Sequence, residues 1–403
     1  MKRKVTSYSI VFFMLIFAAK LMTGCSKKNT PAGTGPEVKI TSPAPFKGSD
    51  IPRNLDINTS IKPQPGTRIT KVEFYVDGQL LSKGTILKPP YRYLWTATNN
   101  FGVLRHIMVK VYQDDGASTT DTVSVKLWDG EERTPMTIPR YAFTSNAVNG
   151  IIYVIGGYDT AQRVVEAYDP ATDKWTRKAS PQVGHAAHAS CVINNIIYVF
   201  GGDKGFDWIP NVEAYDPAAN KWTEKAPIPV DDGVAFGMMG CVAYNGKAYL
   251  IGGFGETQQI RVGEYDPVTD KWSLKSFKNV YFPGAALALG QIYVFGGCPV
   301  RGMGDCSDAS NQLQVYNPTA DNFTGKAPMI YGQSAAATAV ANNKIYVFGG
   351  YAQNNSFMEM YDPAADAWAA MPPMPIGSEN FSATEVNGHI YIICSKVYEF
   401  FPQ

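Results

Sequence analysis

Residues 151–175 read "IIYVIGGYDTAQRVVEAYDPATDKW", and the same skeleton returns four more times downstream. The glycine pairs are Gly156-Gly157, Gly201-Gly202, Gly252-Gly253, Gly296-Gly297 and Gly349-Gly350. Tyrosines follow at Tyr168, Tyr215, Tyr265, Tyr316 and Tyr361, and seven residues beyond each stands an aromatic: Trp175, Trp222, Trp272, Phe323 and Trp368. An offset held through five copies, at a period of about 45–50 residues, marks a chain built from one supersecondary unit used repeatedly. Such a unit cannot bury its apolar face alone, so its copies must pack on one another.

Each copy reads as a four-stranded meander. A run such as "IIYVI" or "KIYVF" precedes the glycine pair, and a turn precedes that run: Asn149-Gly150, Asn194-Asn195, Asn245-Gly246, Leu289-Gly290, Asn342-Asn343 and, a sixth time, Asn387-Gly388. Asn and Gly accept the positive φ that two-residue hairpins need. The strand before the turn is made of small residues, as in "HAAHASCVI" and "QSAAATAV", which suits an innermost strand crowded around an axis. Glycine pairs let the backbone bend where a Cβ would collide. Tyr and Trp on the outer strands fill the space between units, and Asp-Pro makes the turn between them. The repeated residues are therefore read as structural and not catalytic. Their signature resembles the kelch repeat, in which each copy is one blade of a β-propeller, and the resemblance covers about two thirds of the chain.

A propeller must close. After Asn387-Gly388 comes "HIYIICSKVYEF", where Cys394-Ser395 replace the glycine pair and Tyr398-Glu399 replace Tyr-Asp, and the sequence stops short of a fourth strand. Trp128 lies 28 residues ahead of Gly156, inside the 24–30 residue range separating each repeat's aromatic from the next glycine pair. "LWDGEERTPM" can supply the missing strand, giving a six-bladed propeller over residues 128–403 whose last blade is shared between both ends of the region. The other course is that Trp128 finishes the preceding domain and the ring closes differently.

Upstream, over residues 37–127, the rhythm is shorter. Val72, Phe74 and Val76 face one way, Lys71, Glu73 and Tyr75 the other, and Asp77-Gly78 supplies a tight hairpin turn. "VEFYVDGQLL", "PYRYLWTA" and "VKVYQDDGASTTDTVSVKL" resemble bacterial immunoglobulin-like domains, which implies a β-sandwich acting as a spacer or adhesive unit. The expected fold class is all-β: an immunoglobulin-like β-sandwich followed by a six-bladed kelch-type β-propeller.

At the N-terminus Lys2, Arg3 and Lys4 precede "IVFFMLIFAA", an apolar run too short to remain in a bilayer as a span. The "LMTGC" that follows resembles a bacterial lipoprotein signal. That resemblance implies removal of residues 1–24, lipidation of Cys25, a flexible tether over 25–36 and a place in the bacterial cell envelope, at the outer membrane, with the lipid as sole membrane contact. Cleavage would remove four basic residues and no acidic ones, moving the balance from 36 against 35 to 32 against 35, or −3. Such a surface does not invite nucleic acid. Cys298 and Cys306 share one long loop and could close a small ring, while Cys191, Cys241 and Cys394 read as buried thiols.

Function is sought on the one face whose connections vary in length, as binding surfaces on rigid scaffolds do. Counting back twelve residues from the Ile or Ala of each second strand gives Arg140, His185, Phe236, Val280, Gln333 and Ser378, expected to ring the mouth of a central channel. Around them lie Tyr141, His188, Asp231, Asp232, Tyr281, Phe282, Tyr331, Glu379 and Asn380, with Phe206 and Trp208 as a contact point or lid. Aromatics mixed with hydrogen-bonding groups suit a sugar or a peptide end. Galactose oxidase shares the kelch propeller, but its copper site needs two histidines. Here only His185 and His188 share a strand, at a spacing that turns them to opposite sides, so neither metal nor cofactor is expected. The enzyme alternative is a resemblance to the kelch-type sialic acid mutarotase, for which Glu379 and Arg140 could serve as acid/base and cation. The preferred reading is a monomeric, non-enzymatic envelope protein whose loop face recognises a glycan or protein partner.

Overall fold

The computed structural model describes residues 35–43, 54–96, 104–126, 130–205, 207–229, 237–253, 261–278, 280–298, 306, 309–350, 356–371, 373–374 and 380–402. Every regular element among them is a β-strand. The N-terminal unit is a three-stranded sheet (Glu37–Ser42, Asn54–Lys62, Arg92–Thr96) and a four-stranded one (Gln79–Ile86, Ile69–Val76, Leu104–Gln113, Ser118–Lys126). Ile57, Trp95, Phe74 and Val109 from both sheets share one core. On the opposite face of Ile69–Val76, Glu73 accepts hydrogen bonds from the Tyr75 and Tyr112 hydroxyls, each at 2.7 Å, and from Lys71 at 2.8 Å. Burial opposes its ionisation, but these three donors prevail and hold its carboxyl down at about 2.

Downstream, six four-stranded antiparallel sheets follow one another among the described residues. Five are consecutive meanders, opening with Thr144–Val148, Ala189–Ile193, Gly240–Tyr244, Gly284–Ala288 and Ala337–Ala341. The sixth takes Ser382–Val386, His389–Ile393 and Val397–Phe400 from the C-terminal end and its outermost strand, Gly130–Arg133, from ahead of the first sheet. Each first strand packs against the next, and Ser382–Val386 against Thr144–Val148, so the sheets close into a ring around an axis. Both residues of the turns expected between first and second strands have positive φ, as at Asn149 (51°) and Gly150 (77°) or Asn387 (54°) and Gly388 (85°).

Neighbouring sheets are joined by the recurring aromatics. The Tyr168 hydroxyl donates to Asp173 at 2.6 Å, the same carboxylate oxygen accepts the Thr134 N–H at 3.0 Å, and the Trp175 indole donates to the Thr134 carbonyl at 2.8 Å. Thr134 directly follows the outermost strand of the sixth sheet, so the first sheet holds the exit of its neighbour. Tyr215, Asn220 and Trp222 hold Ala179 in the same way. So do Tyr265, Asp270 and Trp272 at Ala226, and Tyr361, Asp366 and Trp368 at Ala327. In the fourth sheet Tyr316 and Asp321 hold Ser276, with Phe323 in the indole's place. The bridging Asp or Asn sits at a φ between 49° and 55°, where these two residue types are best tolerated.

The sixth sheet departs from expectation. Ile390 pairs with Phe400, the register Ile152 keeps with Tyr168, so Phe400 and not Tyr398 holds the tyrosine's place. Phe400 packs edge-on against Phe348 of the preceding sheet at 6.0 Å, as Tyr265 does against Phe200 at 5.7 Å. Gly130 stands opposite Phe400 where the other sheets have an aromatic; Trp128 lies outside the described residues. The cause is the short link after Cys394. Ladder pairing starts as soon as the chain reverses, which fixes the register whatever the Tyr-Asp spelling suggests.

The channel mouth as candidate functional site

Two residues before each first strand the chain turns sharply. Ala142, Ala187, Met238, Phe282, Ala335 and Asn380 have φ of 53°, 50°, 54°, 54°, 50° and 55°, and none is glycine. A left-handed conformation costs a non-glycine residue about 1 kcal/mol. Backbone bonds between sheets offset it: Ala187 N–H donates to the Ala142 carbonyl, Met238 to Ala187 and Ala142 to Asn380, each at 2.7 Å, and Ala335 to Phe282 at 3.1 Å. These bonds form a collar around the axis. Inside it is a cavity of about 210 Å³ to which all six sheets contribute, through Phe143, His188, Met239, Pro283, Ala336 and Phe381 among others. The His188 imidazole Nε2 lies 2.8 Å from the Thr144 hydroxyl. Burial first, then the nearby His185, hold His188 well below the usual histidine range, so it is neutral near pH 7. Its Nδ1 has no partner among the described residues.

Of the six residues expected to ring the mouth, the four that are described lie elsewhere. Arg140, His185 and Gln333 are 5%, 0% and 1% exposed and turn into their own sheets. Arg140 pairs with Glu166 and donates to the Ile138 and Val154 carbonyls. His185 places Nε2 2.8 Å from Glu213 and Nδ1 2.7 Å from the Gly201 carbonyl. Gln333 donates to Glu359 at 3.3 Å, and Val280 is buried as well. Counting back from the second strand assumes extended backbone. The left-handed residue reverses the chain's sense, so the side chain two positions before it faces the sheet, and the collar residues themselves face the axis.

The acids at the bottom of these pairs differ in charge environment. Burial pushes Glu213 up, but hydrogen bonds from His185 and from the Gln182 and Val183 backbone outweigh it and its carboxyl is lowered. Among the described residues Glu359 has no cation to meet it. Burial raises it to about 7, only partly opposed by the Ile330 and Tyr331 backbone N–H groups.

Of the remaining candidates, His188 and Phe282 line the cavity. Tyr281 is buried, and its backbone exchanges two hydrogen bonds with Cys298, which is joined to Cys306 by a disulfide. Tyr331 stacks on Phe357 with centroids 4.0 Å apart. Trp208 packs against the hydrophobic cluster beneath it, its ring occupying the space a Cβ on Gly237 would need. Phe206, Asp231, Asp232, Phe236, Ser378, Glu379 and Cys25 lie outside the described residues. Among the described residues no three His, Cys, Asp or Glu side chains converge as metal ligands. The collar went unseen in the sequence because Ala, Met and Phe give no signal for positive φ. The bridging Asp or Asn could have been found, since it recurs two residues before each aromatic.

Sheets that close around an axis, clasped by Tyr, Asp and Trp, define a kelch-type propeller scaffold, and comparison with known proteins agrees. The KLHDC2/KLHL20/DRC7 kelch-repeats domain matches residues 116–286, a kelch motif 334–375 and a bacterial Ig domain 36–125. The chain thus carries kelch-repeat domains and a bacterial Ig domain. It is 30% identical to Kelch-like protein 23 of Mus musculus over 46% of its length and 34% of the relative's. With Kelch-like protein 15 of Danio rerio the identity is 27%, over 52% and 38%. The chain therefore spans only about a third of the length of these curated relatives. The structure of YjhT superposes with a TM-score of 0.55 at 17% identity, covering 66% of this chain and 94% of that one. A fungal alcohol oxidase of the AA5 family in complex with copper gives 0.50 at 17%, covering 74% and 68%. At such identities these two likenesses concern the fold alone.

Proposed function

We propose that this is a lipid-anchored component of the bacterial cell envelope, in which a tether and an immunoglobulin-like spacer carry a six-bladed propeller whose loop face recognises a glycan or protein partner. The observation that carries the reading is a division of labour. The repeated Tyr, Asp and Trp residues and the buried Arg140, His185 and Gln333 are all occupied in holding sheets together. The mouth of the channel, by contrast, presents a cavity lined by Phe143, Phe282 and Phe381, and Tyr141, one residue before the collar, is half-exposed. Kelch-repeat domains generally mediate protein interactions, which supports a partner-binding role. A mutarotase would need Arg140 as a free cation, and its guanidinium is already committed to Glu166.

The test is retention of solubilised bacterial envelope by immobilised protein comprising residues 26–403. Tyr141→Ala and Tyr331→Ala on the loop face are expected to abolish retention, and Lys247→Ala beside the opposite turns to leave it intact. Equal retention by all variants overturns the reading. In parallel, the anomer exchange of a reducing sugar acid followed by NMR is expected to run at the buffer rate; acceleration would favour the enzyme.

A further inference from the structure

Where two sheets meet at the axis, their first strands run side by side, and the third residue of one strand faces the second residue of the next. Between the first and second sheets Asn146 donates to the Ser190 hydroxyl at 2.7 Å, and between the sixth and first Thr384 shares a hydrogen bond with Ser145. Apolar side chains hold the same two positions at other seams: Val242 and Ala285 share one cluster, Ala339 and Ala383 another. Between the second and third sheets the two residues are Cys191 and Cys241, and their thiols are hydrogen-bonded to each other. The register is the one seen at the first seam. Cys191 pairs with Tyr198 as Asn146 does with Tyr153, and Cys241 with Leu250 as Ser190 does with Val199. The collar sets the same spacing at both seams: Met238 donates to the Ala187 carbonyl at 2.7 Å, as Ala187 does to that of Ala142. In each case the facing pair lies three residues after the donor and four after the acceptor.

Two thiols held face to face are one bond short of a cross-link. A disulfide asks for Cα atoms about 4.4–6.8 Å apart. The strands Ala189–Ile193 and Gly240–Tyr244 pack with Cα atoms within 8 Å of each other, so closure needs only a small approach. The two sulfurs differ in access. Cys241 lines the cavity at the channel mouth, whereas Cys191 is buried and packed into the cluster between the two sheets. Burial first, then the bond with Cys191, hold the Cys241 thiol well above the usual cysteine range, so little thiolate is present near pH 7 and the pair reacts slowly. Cys394, the other free thiol among the described residues, is placed differently: its Sγ donates to the Lys396 carbonyl at 3.2 Å in the sixth sheet. The fold also contains one disulfide already, between Cys298 and Cys306.

We propose that Cys191 and Cys241 are a modification site at which a second disulfide forms, a covalent staple between the second and third sheets that closes from the channel side. The Cys241 thiolate attacks a sulfur of a disulfide oxidant and releases one thiol, and the Cys191 thiolate then displaces the second. The two cysteines give up two protons and two electrons, one S–S bond forms, and the oxidant leaves as two thiols. The test treats residues 26–403 with the small oxidant hydroxyethyl disulfide and counts thiols in denaturant. Of the three free thiols, Cys191, Cys241 and Cys394, one per chain is expected to remain, with Cys191 joined to Cys241 in unreduced peptide maps. The rate is expected to rise about tenfold per pH unit above neutrality, as the thiolate fraction does. Cys191→Ala is expected to stop at a mixed disulfide on Cys241, which fixes the order of attack. The closed protein is expected to melt about 5 °C or more above its open form, a difference that Cys241→Ala abolishes. Three thiols remaining after treatment, separate adducts on Cys191 and Cys241 with no link between them, or a link from either to Cys394 would overturn the proposal.

Discussion

At the scale of single residues, three sheets place a polar side chain over a buried glutamate, and they solve the problem unequally. Arg140 and His185 give Glu166 and Glu213 positively charged or strongly donating partners, whereas among the described residues Glu359 meets Gln333 and backbone. A folded-state value of about 7 lies above the ordinary 4.5, so the folded protein binds this proton more tightly than the unfolded chain. The resulting stabilisation is full below about pH 4.5 and is lost as pH rises through about 7. Glu359→Gln is therefore expected to raise stability at pH 8 by about 1–2 kcal/mol and change little at pH 5, as read from urea denaturation at the two pH values. A gain of equal size at both would contradict the assignment. Arg140→Ala leaves Glu166 buried without its cation and is expected to cost about 3–5 kcal/mol in the same assay.

Between residue and ring lie the strands, turns and clasps, and here much was legible. The glycine pairs, the Asn-Gly turns and the tyrosine to aromatic offset all mark local backbone requirements, which sequence records directly. The collar was not legible: an alanine at φ 50° is held by its neighbours in space and not by its own preference. Nor was the register of Phe400, because a hydrophobic residue in a short final strand spells the tyrosine's role without its hydroxyl. Two substitutions test these elements. Ala187→Gly relieves the left-handed residue and is expected to stabilise by up to about 1 kcal/mol, while Ala187→Val, a poor fit at positive φ, destabilises by about 2 kcal/mol. Tyr168→Phe removes the donor to Asp173 and is expected to lower stability by about 1–2 kcal/mol, with the folded spectrum unchanged.

At the scale of the whole molecule, the chain's own N-terminal side completes the last sheet. Gly130–Arg133 covers the outer edge of Val397–Phe400, and Arg133 pairs with Glu399, which also accepts from the Tyr391 hydroxyl at 2.7 Å. Deleting residues 130–133 is expected to expose that edge and convert cooperative unfolding of the ring into early loss of the sixth sheet with increased self-association, seen by calorimetry and light scattering. The two faces of the closed ring are then unequal: one carries short hairpin turns, the other the collar and the cavity. Recognition on that second face can be read from hydrogen–deuterium exchange of residues 26–403 with and without solubilised bacterial envelope. New protection is expected at 139–144, 187–188, 281–285 and 331–338. Protection centred on the turns at Asn149-Gly150 and Asn245-Gly246, or none anywhere on the ring, would contradict it.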